Sequence, residues 1–341
     1  MTVMTQQDVM AFSETCAHIL RELRRDIVGQ DDVLENVVIA MIAGGNVLLE
    51  GVPGTGKTRL VRSIGRVFGL PFSRIQFTPD LMPADVTGTN VIERDAQGNS
   101  QYRFQPGPIF SNIVLADELN RATPKTQSAL LEAMEEHKVS VGGRDYRLEE
   151  PFFVLATQNP IEQEGTYVLP EAQVDRFMFK LNLKFPAVES LKDIVLLTQY
   201  TNDEKAERVL DGETLLNMRE ISKDVPVTDA VLTHAMRLIA ATHADLEFAG
   251  ETATKYIQMG ASPRAAQALL RASRVRALLR GRYNVAHEDV QAMAGPVLRH
   301  RLKLNFDAMA SRKTADQLIL ELLEEQRPGK KQFLGRKRAQ A

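Results

Sequence analysis

Residues 46 to 58 read NVLLEGVPGTGKT, and this stretch limits the possible folds more than any other. NVLLE is a short apolar run of strand type, and it passes without a spacer into GVPGTGKT. After it, Leu60, Val61, Ile64 and Phe68 recur at helical spacing. A strand, a glycine-rich turn and a helix in immediate succession is the layout of a phosphate-binding loop. The glycines let backbone N–H groups turn inward around an anion with no side chain in the way. The helix that follows points its positive N-terminal end at the same anion. Gly51, Val52, Pro53, Gly54, Thr55, Gly56, Lys57, Thr58 and Arg59 are therefore the candidate nucleotide-binding residues. In this pattern Lys57 places its ammonium near the β- and γ-phosphates of ATP, and the Thr58 hydroxyl can ligate Mg2+.

Such a unit needs a parallel sheet around it, and the rest of the sequence supplies one. FSRIQF (72–77), IVLAD (113–117), FFVLAT (152–157) and FMFKLNLKF (177–185) are further buried-strand candidates. Helical stretches separate most of them, notably PKTQSALLEAMEEHK. The alternation predicts an α/β fold, a parallel sheet covered by helices on both faces. Ahead of it, Val9, Phe12, Cys16, Ile19, Leu20 and Leu23 predict a helix over 8–25. Gly29 breaks the pattern, and Val33, Val37, Val38 and Met41 predict a second helix that Gly44-Gly45 ends.

Two pieces interrupt the alternation. Residues 78 to 110 are rich in Pro, Gly and Asp, with little helical period. KVSVGGRDYRL (138–148) alternates around Gly142-Gly143 and predicts a β-hairpin. FPAVES (185–190) reads as a linker. Beyond it, helical patterns follow at 189–201, 213–222, 228–243, 263–280, 286–300 and 312–325. A nucleotide-binding core over 1–187 followed by an all-helical domain over 188–327 is expected. Residues 328–341 are basic and polar, and a flexible tail is expected there.

Composition narrows the classes of function. A length of 341 residues suits about two domains. Lys and Arg total 42 against 44 Asp and Glu. This near-neutral balance argues against a surface given over to nucleic acid and leaves room only for a local basic patch. The one cysteine, Cys16, excludes an internal disulfide and fits a reducing compartment. Its apolar surroundings in the helical pattern make it a core residue. The N-terminus lacks a signal peptide's basic-then-apolar layout, and no apolar run is long enough to span a bilayer. A cytoplasmic location is expected. The six histidines show no ligand spacing, and His300 in RHR reads as a helix-end cation. No metal other than Mg2+ with ATP is expected.

Five further positions carry chemistry. IVLADE places Asp117 and Glu118 at the C-terminal end of a buried strand, where open parallel sheets carry their ligands. Asp117 would hold Mg2+, directly or through water, and Glu118 would orient and deprotonate the attacking water. FFVLATQNP ends a strand with Asn159. Its amide can touch the γ-phosphate or the attacking water, or it can mark a turn before Pro160. EAQVDRF sets Arg176 beside an acidic residue. A structural arginine there would pair with Asp175 or Glu171. A catalytic one would supply a planar guanidinium to the transition state of phosphoryl transfer, worth about 10³ to 10⁵ in rate. Arg264 opens a helical stretch that also carries Arg271, Arg274 and Arg276. It is either part of a solvated face or a link between the helical domain and the nucleotide.

These residues resemble the AAA+ ATPases of the MoxR family. The likeness runs through GQDDVLENVVIAMIAGGNVLLEGVPGTGKT, DLMPADVTGTNVI and FQPGPIFSNIVLADELNRATPKTQSALLEAMEE. It continues through PFFVLATQNPIEQEGTYVLPEAQVDRF, GASPRAAQALL and VLRHRL, so it covers roughly residues 26 to 302. The phosphate loop is shared by many ATPases, whereas ATQNPIEQEGTY followed by LPEAQVDRF is much more specific. The resemblance implies an AAA+ core with a five-stranded parallel sheet, followed by an all-helical lid. It implies Walker A roles for Lys57 and Thr58, and Walker B roles for Asp117 and Glu118. It also implies sensor 1 at Asn159, the arginine finger at Arg176 and sensor 2 at Arg264. Residues 78–110 match the helix-2 insert and 138–148 the pre-sensor hairpin, which in similar rings often face the central channel. Gln30 and Pro263 match positions around the adenine. Val168 stands where the family often has Pro, and Val174 where Leu is common; neither is a catalytic position.

An arginine finger acts on a neighbour's nucleotide, so the resemblance implies a homo-oligomer. A head-to-tail contact repeated by rotation closes a ring, and the family implies a hexamer. Similar proteins are paired with partners carrying a von Willebrand factor A domain. They are thought to mature, activate or metal-load a protein client, and that is the expected function. A magnesium-chelatase-like motor subunit shares the ring and the partner and is the alternative. A nucleic-acid motor is suggested by the insert architecture that replicative helicases share, and Lys138, Arg144 and Arg147 and the basic tail keep it open. The presence of both Lys57 and Glu118 argues against a ring that does not hydrolyse ATP.

Overall fold

Two helices open the chain, α1 (Gln6–Asp26) and α2 (Asp31–Ala43). The computed structural model describes residues 5–51, 54–94, 100–159, 166–200, 205–246 and 248–327; Val52, Pro53 and the basic tail lie outside the described residues. α1 begins on a reciprocal cap. The Thr5 hydroxyl accepts from the Asp8 N–H at 3.2 Å, and the Asp8 carboxylate accepts from the Thr5 N–H at 2.7 Å. Its stripe Val9, Phe12, Cys16, Ile19, Leu20 and Leu23 is buried. Burial pushes the Cys16 thiol up to about 12, so it stays a neutral core group. α2 ends at Gly44, whose φ of +69° is the left-handed cap that glycine adopts freely.

The core then alternates. β1 (Val47–Glu50) and α3 (Lys57–Val67) flank the glycine-rich turn, and β2 (Phe72–Gln76) follows. Residues 78–110 hold α4 (Pro83–Thr87) and an antiparallel ribbon of β3 (Gly88–Arg94) and β4 (Ser100–Pro106). Next come β5 (Ile113–Asp117) and α5 (Pro124–Glu136). The hairpin of β6 (Lys138–Val141) and β7 (Arg144–Arg147) precedes β8 (Phe153–Gln158). The short helix α6 (Glu171–Val174) leads into β9 (Phe179–Asn182).

Five of these strands form one parallel sheet in the order β2-β5-β8-β1-β9. Alternate residues serve opposite faces. Val47, Leu49, Ile113, Leu115, Phe153 and Leu155 join the cluster under α1, α2 and α3. Leu48, Val114, Ala116, Val154 and Ala156 join the cluster under α5. Near-continuous apolar strands are what burial on both faces requires, and β1, β5 and β8 show it; β2, expected as a buried strand, lies at the sheet edge with only Ile75 buried. All five strands expected from the sequence are present, each within two or three residues of its expected bounds.

After the sheet come α7 (Val188–Tyr200), α8 (Gly212–Lys223), α9 (Asp229–Ala240) and α10 (Glu251–Tyr256). They are followed by β10 (Ile257–Met259), α11 (Pro263–Leu279), α12 (His287–Leu298), β11 (Lys303–Leu304), α13 (Phe306–Ala310) and α14 (Ala315–Glu325). The antiparallel pairing of β10 with β11 is a small addition to the helical pattern. The stretch 185–190, which reads as a linker, already enters α7 at Val188. α11 packs against α1, α2, α8 and α9, and α12 reaches β9. One apolar cluster therefore runs from the sheet through α1 and α2 into α11 and α12.

Candidate active site

The C-terminal ends of the parallel strands gather most of the chemistry-bearing side chains. Gly51 follows β1, and its N–H donates to the Gln158 carbonyl at the end of β8, 3.4 Å away. Gly54 and Gly56 hold φ of +83° and +80°, a conformation open to glycine. A Cβ at either would meet nothing within 4 Å. Lys57 and Thr58 form the first turn of α3, and Lys57 Nζ donates to the Gly51 carbonyl at 2.8 Å. Arg59, one residue on, approaches the buried Asp26 carboxylate at 4.0 Å. Gln30 caps the start of α2 and donates from Nε2 to the Lys184 carbonyl at 3.0 Å, just beyond β9. It thus lies at the same end of the sheet as the phosphate loop.

Asp117 closes β5, and Glu118 follows with φ +57° and ψ +47°, a left-handed backbone that side chains rarely adopt. A residue not foreseen from the sequence joins them. Thr157, fully buried near the end of β8, donates its hydroxyl to Asp117 Oδ1 at 2.7 Å and accepts the Glu118 N–H at 2.8 Å. Arg74 pairs with Asp117 Oδ2 at 2.7 Å. Gln76 Nε2 and Arg121 Nη1 hold the Glu118 carboxylate at 2.8 and 3.0 Å. Asn159 is buried immediately after β8. The sequence held signals for some of these. Thr157 is the hydroxyl that ends an otherwise apolar run, and Arg74 and Gln76 are two apart on β2, so they share a face.

Arg176 and Arg264 lie elsewhere. Val47 pairs with Phe179 and Glu50 with Asn182, so Arg176, ahead of β9, sits at the N-terminal end of the strands. The four residues of β1 alone span about 13 Å at the usual rise. That exceeds the reach of an arginine side chain, so Arg176 does not approach its own chain's phosphate loop. It donates to the Leu131 carbonyl at 3.0 Å and pairs with Glu135 at 3.0 Å. The pairing with Asp175 or Glu171 suggested by the sequence is not formed, because Arg301 takes Asp175 and Lys303 takes Glu171, each at 2.7 Å. Arg264 pairs with the same Glu135 at 2.5 Å and lies 3.9 Å from Asp175.

Arg176, Arg264, Gln267 and Arg271 line one cleft of about 210 Å³ with Glu135 and Asp175. Arg271 makes no ion pair or hydrogen bond among the described residues, and burial, with the nearby Arg219 charge, lowers its pKa. The arginines of α11 are not one solvated face, since Arg276 pairs with the fully buried Asp289 at 2.5 Å. Pro263 adjoins this cleft through Ser262, which donates to Asp175, so it does not share an end of the sheet with Gln30. His300 is not a helix-end cation either. It is half-buried beneath the Phe177 carbonyl, 3.1 Å from Nε2, and desolvation with the Arg301 charge pushes its pKa well below the ordinary value. The ring is therefore neutral.

The first group of residues fits a magnesium nucleotide. The turn presents glycine backbone with open space around it, a lysine beside it and a helix N-terminus behind it. Thr58 and Asp117 offer the hard oxygen donors that Mg2+ prefers. Among the described residues no cluster of His, Cys, Asp and Glu could hold another metal, and no helix is long and apolar enough to cross a membrane.

Comparison with known proteins supports an ATPase core followed by a helical lid. The family model described as the ATPase family associated with various cellular activities matches residues 46–179, and an AAA lid domain matches 250–322. Chaperone MoxR1 of Mycobacterium tuberculosis is 42% identical over 310 residues, covering 91% of this chain and 81% of that protein. The uncharacterized protein YeaC of Bacillus subtilis is 40% identical, covering 92% and 96%. Protein MoxR of Methylorubrum extorquens is 31% identical, covering 85% and 88%. A crystal structure from Cytophaga hutchinsonii, of a protein described as an ATPase, superposes with a TM-score of 0.86 at 38% identity, covering 93% and 95%.

Proposed function

We infer the function from one premise: the chain belongs to the MoxR family of AAA+ ATPases. In our reading it hydrolyses ATP with Mg2+ at head-to-tail subunit interfaces of a ring, taken as a hexamer. One chain supplies the phosphate loop, Thr58 and Asp117 for the metal, Glu118 for the water and Asn159 beside the γ-phosphate. The next chain supplies Arg176 and Arg264. The single observation that supports this division is the position of both arginines at the opposite end of the sheet from Lys57.

Each residue has a task the geometry suits. The backbone N–H groups of the turn and Lys57 bind and orient the phosphates. Thr157 fixes the Asp117 carboxylate and the Glu118 backbone. Mg2+ bound between Thr58 and Asp117 would neutralise charge on the β- and γ-oxygens. Glu118 releases Gln76 or Arg121 to take a proton from the attacking water. Arg176 and Arg264, now shared through Glu135, exchange that carboxylate for the neighbour's phosphate oxygens. Their common cleft makes a trans role for Arg264 the simpler assignment.

The work done with this energy is remodelling of a protein client, in the cytoplasm, together with a partner that carries a von Willebrand factor A domain. The relative named Chaperone MoxR1 supports a protein client. So does the ribbon of β3 and β4, where the cross-strand neighbours Ile92 and Tyr102 are 65% and 79% exposed. An apolar pair of this kind suits a polypeptide better than a phosphate backbone.

The test is the Arg176→Ala protein, measured for binding of a fluorescent ATP analogue and for phosphate release. It should keep its nucleotide affinity and lose about 10³-fold or more in turnover. A loss of affinity matching that of Lys57→Ala would place Arg176 in its own chain's site and sink the reading.

A further inference from the structure

The triplet Arg299-His300-Arg301 follows α12 and has no part in the chemistry above. All three side chains reach back to the backbone that carries Arg176. Arg299 Nη1 donates to the Lys180 carbonyl at 3.0 Å, and His300 Nε2 to the Phe177 carbonyl at 3.1 Å. Arg301 does most. Its Nη2 donates to the Asp175 carbonyl at 2.8 Å and the Phe177 carbonyl at 2.7 Å. Its Nη1 donates to the Met178 carbonyl at 3.1 Å and to the Val297 carbonyl of α12 at 2.6 Å. Its Nε donates to Asp175 Oδ1 at 2.7 Å. All the N–H donors of the guanidinium are used, and the side chain is 3% exposed.

The carbonyls on both sides of Arg176 thus share one guanidinium. The Asp175 carboxylate held by Arg301 also accepts the Ser262 hydroxyl at 2.8 and 2.9 Å. Ser262 precedes α11 and stands two residues before Arg264. The ion pair of buried Arg301 with half-buried Asp175 therefore touches the supports of both arginines in the cleft. Bonds from a single planar group join the end of α12 to the 175–178 backbone.

We propose that Arg301 is a positioning residue that presents Arg176 to the neighbouring subunit's nucleotide and ties that presentation to α12. The proposal rests on the reading of Arg176 as a residue that acts in trans. A displacement of about 1 Å at a reacting geometry can lower a rate by about 10²-fold. Arg301→Met should therefore lower kcat by about 10²-fold, less than Arg176→Ala does, with nucleotide affinity unchanged. Its phosphate loop lies at the other end of the sheet and is untouched.

The experiment mixes variants of the full chain and measures ATPase, fluorescent-nucleotide binding and thermal unfolding. Arg301→Met mixed with Lys57→Ala should recover turnover, since the Lys57→Ala chain offers a well-held Arg176 to the intact phosphate loop. Arg301→Met mixed with Arg176→Ala should not recover. The double variant Arg176→Ala, Arg301→Met should be no slower than Arg176→Ala alone, because both changes remove one contribution. If Arg176→Ala with Lys57→Ala recovers but Arg301→Met with Lys57→Ala does not, the positioning role is wrong and the trans reading stands. If neither mixture recovers, both fall. Should Arg301→Met fail to fold, Arg301→Lys carries the test, since it keeps the charge and stem and loses the fork. It should show the same pattern, and a wild-type kcat in Arg301→Lys would overturn the proposal.

Discussion

Replacing Thr157 by Val keeps the shape of a fully buried side chain and deletes one hydroxyl that serves two partners. The Asp117 carboxylate loses a donor at 2.7 Å, and a hydrogen bond to a charged group contributes about 1.5–3 kcal/mol. The Glu118 N–H loses its acceptor at 2.8 Å, and a buried donor left unpaired costs about 1–3 kcal/mol. An extra buried methyl offsets about 1 kcal/mol of this. The net expectation is about 1.5–5 kcal/mol of lost stability, read by urea unfolding. A second effect follows. Glu118 holds a left-handed backbone that is disfavoured by about 1–3 kcal/mol, and the Thr157 hydroxyl helps to maintain it. Thr157→Val should thus lower kcat by about 10²-fold while affecting nucleotide affinity much less. Thr157→Ser, which keeps the hydroxyl, should recover most of both. A Thr157→Val protein within about 0.5 kcal/mol of wild type, with normal turnover, would refute the bridging role.

Further consequences can be measured separately. Glu118→Gln should bind ATP yet hydrolyse it at least about 10²-fold more slowly, and retention of most turnover would remove Glu118 from the role of base. The hydrogen bond from His137, opposed by burial and aided by the Phe152 N–H and Arg219, lowers the Glu150 carboxyl from 4.5 to about 2. Its contribution to stability is therefore present above about pH 4.5 and lost as pH falls toward 2. Glu150→Gln should flatten the pH dependence of Tm in that window, and an unchanged slope would contradict the assignment. Asp289 is fully buried between Arg276 and Arg282, at 2.5 and 2.6 Å. Asp289→Asn removes their counter-charge and should cost about 3–5 kcal/mol in denaturant unfolding. A cost below about 1 kcal/mol would mean that the arginines find other partners.

The parts of this molecule that sequence exposes are those governed by local period and local turn chemistry. β1, β5 and β8 are apolar runs because both faces are covered, and that shows in the residues of each run by itself, whereas the edge strand β2 keeps Arg74 exposed and is not the buried strand its sequence suggests. The phosphate loop shows because its glycines, lysine and threonine are contiguous. What stays hidden depends on contacts between distant segments. Thr157 and Asp117 are forty residues apart, and only the β5–β8 register brings them together. Arg301 and Asp175 are 126 residues apart, and no spacing rule joins them. For the same reason His300 reads as a cation at a helix end, although the fold tucks its ring half-buried against the Phe177 carbonyl. Arg176 shows the limit most clearly. Its acidic neighbours in sequence, Asp175 and Glu171, are taken by Arg301 and Lys303, and its actual partner is Glu135 on α5.

The central claim is that Arg176 of one chain completes the phosphate site of another. It is tested most directly by mixing Lys57→Ala with Arg176→Ala protein, each inactive alone, and following phosphate release over a range of concentrations. The account predicts recovered turnover that grows with concentration, because each mixed interface can pair an intact phosphate loop with an intact Arg176. No recovery, with mixed assembly confirmed and wild-type turnover independent of concentration, would mean that Arg176 acts within its own chain or only as a structural ion pair.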